Sequence, residues 1–183
     1  MMAKRHNVFV SYHHANDQGY RNEFERLFSD KHNIMVSKSV QIGDLDPNLK
    51  TETIRQKIRD EYLRDSTVTV VLIGKDTWKR KHVDWEISSS IRGTTLNPRN
   101  GLIGILLPSH PSYGKDTYNQ YTIPPRLYDN LGNGFATIHN WSTNKAHVQS
   151  WIHEAFDRRK QIDPNNSRPM FGKNRGEDQK GWQ

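Results

Sequence analysis

A chain of 183 residues, 33% of them hydrophobic, has material for one α/β domain plus a tail, and its mean hydropathy of −0.93 without a long apolar run argues against a membrane span. The absence of cysteine excludes disulfides, thiolate zinc sites and a cysteine nucleophile together. The formal charge of +7 raises nucleic acid as a partner, but from Arg158 onward seven Lys or Arg against three Asp or Glu carry +4 of it, which disfavours that reading.

Met1 to His6 leads at once into a short strand rather than a long apolar stretch, so no secretory signal is expected and the location predicted is cytoplasmic. Asn7 to Tyr12 forms the first predicted strand, ending in the polar turn His13-His14-Ala15-Asn16-Asp17. In the helix that follows, Phe24, Leu27 and Phe28 fall at i, i+3 and i+4 and give an apolar face, broken at Ser29-Asp30. Asn33 to Ser37 is a second short strand. Ser39 to Asn48 is a loop marked by Gly43, Asp44 and Asp46-Pro47. A second helix is expected from about Thr51 to Arg64, burying Ile54, Ile58 and Leu63.

Thr67 to Ile73 is a continuous, largely β-branched apolar run closed by Gly74, the pattern of a strand buried on both faces. A third helix beginning near Val83 puts Val83, Ile87 and Ile91 on one stripe, with Glu86 at its edge. Gly101 to Leu107 is another fully apolar strand. Pro108 to Pro125 is long for a connection and carries Tyr113, Tyr118 and Tyr121, which favours a packed surface loop over a flap. Phe135 to His139 is the last strand, and a final helix opening at Ser142 or Thr143 turns Val148, Trp151, Ile152 and Phe156 inward. The predicted domain spans residues 1–160. Residues 161–183, rich in Pro, Gly, Asn and charge, form a basic, loosely ordered extension.

Alternating strands and helices in this order predict a central parallel sheet of five strands with helices on both faces, flavodoxin-like in outline. In such sheets ligands gather beyond the carboxyl ends of the strands, so the third strand and the acidic helix entry after it point to a nucleotide-handling site. Many activities share that outline, and the site must decide among them. A phospho-receiver is excluded, because Ser11-Tyr12-His13 and Gly74-Lys75-Asp76 stand where an acidic pair and a phosphorylatable Asp would be needed. There is no GxxxxGK[ST] loop, and Gly101 and Gly104 lie inside a strand, so neither nucleotide fingerprint applies. No metal site is expected. His13 and His14 are adjacent on a strand end and point apart, and Asp44-x-Asp46-Pro47 is ordinary turn chemistry.

Val8-Phe9-Val10-Ser11-Tyr12, Asp44-x-Asp46-Pro47, Asp65-Ser66, Trp78 and Val83-x-x-Glu86, in this order and spacing, resemble a TIR domain. More narrowly they are similar to the bacterial TIR-like proteins of the Thoeris anti-phage system, of the ThsB type. Where many TIR domains carry Trp-Cys ahead of the glutamate, this chain has His82-Val83. The resemblance implies an NAD-consuming enzyme with Glu86 as its catalytic residue, NAD being substrate and no cofactor being required. It implies a cyclic ADP-ribose isomer as a diffusible signal to an effector protein, and a homo-oligomer formed on activation, with the free chain at rest. Phe9 and Trp78 are then candidates to stack on the substrate rings, and Ser11 and His13 to contact ribose or phosphate. From the residues alone, Glu86 is equally an acid meeting the dipole of a helix's first turn. A non-enzymatic TIR assembly module is the alternative function, and Trp85 is assigned to packing or to a contact between protomers.

Overall fold

The computed structural model describes residues 6–29, 34–36, 48–95 and 97–183. The Asp44-x-Asp46-Pro47 turn lies outside the described residues. Strands β1 (His6–Ser11), β2 (Ile34–Val36), β3 (Val68–Ile73), β4 (Gly101–Leu106) and β5 (Ala136–Asn140) pair in parallel in the order β2-β1-β3-β4-β5. Four of these are full strands. The fifth, β2, expected to be short, pairs only three residues at the edge, so the sheet is a four-stranded core with a short edge strand.

Strand alternation sends successive side chains to opposite faces, and each face meets its own helices. On one side Val8, Val10, Val68, Val70, Leu72, Ile103 and Ile105 pack against Phe24 and Phe28 of α1 (His14–Phe28) and Val148, Ile152 and Ala155 of α5 (Lys145–Gln161). On the other, Val71, Ile73, Leu102 and Leu106 meet Val83, Ile87 and Ile91 at α3 (Lys81–Ser90), and Leu127 of α4 (Pro125–Asp129). A third cluster joins Phe9 to Ile54, Ile58, Leu63 and Trp85, closing α2 (Thr51–Lys57) and the π-helical turn Ile58–Tyr62 over the β1 edge. The chain reverses its lateral direction between β1 and β3, and both strands end beside α3. In open parallel sheets ligands gather at such a reversal, beyond the carboxyl ends of the strands.

Sequence patterning missed α4, whose five residues are too few for a helical period to show, although Pro124 and Pro125 mark its start. The 108–125 loop is packed: Tyr118 lies against the α3–α4 cluster, and a 3₁₀ turn spans Gln120–Thr122. The expectation of a loosely ordered extension does not hold. Trp85 Nε1 donates to the Phe171 carbonyl (2.7 Å), and the Phe171 amide donates to Asp84 Oδ2 (2.9 Å). Farther along, Trp182 Nε1 donates to the carbonyls of Ile123 (2.8 Å) and Gln120 (3.1 Å). Asp84 also holds Arg126 through Nε (2.9 Å), and both side chains are essentially inaccessible. The tail was misjudged because polar and backbone groups seat it, and these leave no apolar period to read. Trp85 proves to be a packing residue that anchors it.

Candidate active site at the β1 and β3 strand ends

The carboxyl end of β1 delivers Ser11 and the start of α1, and the connection after β3 delivers α3 with Glu86 one turn beyond His82. Glu86 is buried, with 1% of its surface exposed. Ser11 Oγ donates a short hydrogen bond to Glu86 Oε2, while Glu86 Oε1 has no hydrogen-bond partner among the described residues. Burial pushes the carboxyl up to about 8, against the opposing effect of the Ser11 hydrogen bond. A buried acid of this kind, beside the topological switch, is a functional-site candidate on physical grounds, since a helix-end acid meeting only the macrodipole would sit in water.

Two imidazoles share the site. His82, on the same face of α3 as Glu86, has Nε2 3.0 Å from the Tyr12 carbonyl, and burial lowers its pKa to about 4. His14, the first residue of α1, lies with its ring 4.8 Å from that of His82, and its own pKa is lowered by burial. One ligand atom from each of His14, His82 and Glu86 falls within 4.8 Å of the others. The expectation of no metal site considers His13 and His14 only as a pair. It overlooks that His14 finds its companions on α3, 68 and 72 positions later in the sequence. A His four residues before a Glu was visible on α3; the arrival of α1 beside it was not.

His13 lies at the site's edge as the N-cap of α1, its Nδ1 accepting from the Asn16 amide (3.2 Å), with its pKa lowered by burial and by Arg80. Ser11 is brought onto Glu86. The two aromatic candidates are not platforms in this fold. Phe9 has zero exposure because its strand position faces Ile54, Ile58, Leu63 and Trp85, and Trp78 is 2% exposed, with Lys79 Nζ over its ring at 5.5 Å. Neither offers a free face on which a ligand ring could stack.

A further group missed by the sequence reading is Asp17, 2% exposed on the first turn of α1. Burial and the nearby Asp76 raise its pKa to about 6, with a hydrogen bond from Thr77 and the charge of Lys75 opposing. Gly74, which ends β3, makes room for it: a Cβ there would lie 2.8 Å from Asp17 Oδ1 and 2.9 Å from its Cγ. That close approach brings α1 against the turn that follows β3.

The family model for the Thoeris protein ThsB, TIR-like domain, matches residues 9–112. No curated protein matches the chain. Among solved structures, the TIR domains of the activated Roq1 resistosome directly recognising the pathogen effector XopQ align at 11% identity, covering 85% of this chain and 84% of that one, with a TM-score of 0.38. That level of likeness carries no argument here. The family match spans more than half of the 183 residues, from Phe9 in β1 through β4, and includes Ser11, His14, His82 and Glu86, so the chain belongs to the ThsB family of TIR-like proteins of the Thoeris defence system.

Proposed function

We propose that the chain is a defence enzyme that breaks the nicotinamide–ribose bond of NAD and closes the remainder into a cyclic ADP-ribose isomer, a diffusible signal for an effector protein. The observation that carries this reading is the buried Glu86 carboxyl at the β1 and β3 strand ends, held on one oxygen by Ser11 and with the other lacking a partner among the described residues. The C1′–N bond breaks with its electron pair going to nicotinamide, which leaves neutral, so no general acid is needed and one carboxylate suffices. Glu86 is the catalytic residue in this scheme. It holds the ribose hydroxyls and stabilises the oxocarbenium-like charge developing at C1′. A nucleophilic atom of the same molecule captures that centre and sheds a proton, giving cyclic ADP-ribose isomer, nicotinamide and H⁺. Water capture would give linear ADP-ribose instead, so exclusion of water favours the ring.

A carboxyl with a pKa of about 8 is mostly protonated at neutral pH. The cationic nicotinamide riboside favours its ionised form when it arrives. The closed, protonated resting site supports the further reading that the isolated chain is nearly inactive, and that assembly into a homo-oligomer opens or completes the site. Ser11 positions the carboxylate, and His13 holds the α1 entry that borders it. Phe9 and Trp78 support the site from the core and are not proposed as stacking surfaces.

The test is product analysis of NAD in lysates of cells expressing the chain, with and without phage challenge, wild type against Glu86→Gln. The expected result is nicotinamide and a cyclic isomer from challenged wild type alone. Equal NAD consumption by the Gln variant would remove Glu86 from the chemistry. No consumption by either protein, challenged or not, would leave the assembly module as the function.

A further inference from the structure

We propose that His14, His82 and Glu86 form a binding site for a divalent transition-metal ion, zinc by preference. The donor set is the first argument. Two imidazoles and one carboxylate are a zinc combination that needs no thiolate, and three protein ligands leave a fourth position for water or another ligand. The spacing is the second. His82 and Glu86 stand at i and i+4 on α3 and share a face, while His14 comes from α1, so two rigid elements present the three groups together.

The distances are within reach of a bound ion. One ligand atom from each residue lies within 4.8 Å of the others. In a tetrahedral site with metal–ligand bonds of about 2.0–2.1 Å the ligand atoms stand roughly 3.3 Å apart, so a contraction of at most about 1.5 Å is required. His14, whose Nε2 has no hydrogen-bond partner among the described residues, is the side chain placed to supply that movement.

The partnering of each group completes the argument. Glu86 Oε1 and His14 Nε2 are buried atoms without a hydrogen-bond partner among the described residues, and the side chain of Glu86 is almost wholly enclosed. The Tyr12 carbonyl can only accept, so the 3.0 Å contact with His82 makes Nε2 the protonated nitrogen and leaves the lone pair on Nδ1. A histidine that donates its other N–H to a backbone carbonyl is oriented and tuned as metal-binding histidines are. Ser11 plays the same outer role for Glu86, fixing Oε2 and leaving Oε1 to bind. A metal here would occupy the carboxylate that the proposed NAD chemistry uses and would compete with substrate. The binding itself stands on the three side chains and does not depend on that chemistry.

The experiment uses the full chain freed of metal with EDTA and then desalted, titrated with zinc against a chromophoric chelator and, separately, with cobalt(II) as a spectroscopic probe. One equivalent should bind, with the visible bands of tetrahedral cobalt in nitrogen and oxygen ligation. His14→Asn and His82→Asn should each weaken zinc binding by more than the ~10–100-fold typical of losing an outer partner, and Ser11→Ala by about that amount. His147→Asn, at an exposed position on α5, should leave it unchanged. Less than one equivalent, an octahedral cobalt spectrum on wild type, or affinity undisturbed in both His14→Asn and His82→Asn would overturn the assignment. The cobalt spectrum of the unaltered chain keeps the test decisive even where a variant folds poorly.

Discussion

Replacing Glu86 by Gln keeps the side chain's size and its hydrogen bond from Ser11 while removing the ionisable group. Above pH 4.5 the unfolded chain ionises this acid, whereas the folded chain keeps its proton until about pH 8. The sign follows from the raised folded value. The native state binds more protons than the unfolded state across this window, so wild-type stability falls as pH rises and levels off above 8. One group contributes at most about 1.4 kcal/mol per pH unit, which gives wild type a deficit against Glu86→Gln of up to about 3 kcal/mol at pH 7 and about 5 kcal/mol beyond pH 8.5. The titratable groups that face Glu86 are His14 and His82, both with pKa values lowered by burial, and both are present in the two proteins compared. Urea unfolding of both proteins at half-unit steps from pH 5 to 8.5, with EDTA present, measures the difference directly. A stability difference that stays constant to within about 0.5 kcal/mol over that range would show that Glu86 ionises freely in the folded chain, and the closed-site argument would fail.

Asp17→Asn should remove a second, lower pH dependence. With the folded pKa near 6 against an ordinary 3.8, wild type loses up to about 3 kcal/mol relative to the Asn variant as pH rises from 4 to 6, and thermal unfolding of the two proteins should show that difference grow across the range. Gly74→Ala drives a methyl into the Asp17 carboxyl and should cost about 1–3 kcal/mol. The double variant with Asp17→Ala should recover most of that loss in a denaturant-unfolding cycle. Asp84→Ala strands the inaccessible Arg126 guanidinium and deprives the Phe171 amide of its acceptor, so a loss of about 3–5 kcal/mol is expected. Hydrogen exchange in that variant should quicken over residues 163–182, and unchanged protection there would mean that the tail is held without Asp84.

Much of the fold was legible because its central elements are defined by period and punctuation. The apolar runs ending at Ile73 and Leu106 are β3 and β4, and the stripe Val83, Ile87, Ile91 is the buried face of α3, as expected. What escaped is held by contacts that carry no local signal. The tail is held by hydrogen bonds that Trp85 and Trp182 donate and Asp84 accepts, and α4 is barely longer than a turn. At the site, Glu86 was legible from its place after β3, beyond a strand end where ligands gather in a parallel sheet, while Ser11 followed from the TIR resemblance. His14 and Asp17 were not legible, since their roles depend on how α1 sits against α3 and the Gly74 turn. Phe9 shows the opposite error. An aromatic residue in a strand has two possible faces, and here the strand turned it into the core.

We propose that NAD is cleaved at the carboxyl ends of β1 and β3. A structure of the Glu86→Gln protein with NAD bound, prepared under activating conditions, tests it most directly. The prediction is the nicotinamide ribose at those strand ends, with its hydroxyls within hydrogen-bonding distance of residue 86 and Ser11 alongside. NAD bound elsewhere on the chain, with residue 86 still enclosed and touching only Ser11, would contradict it.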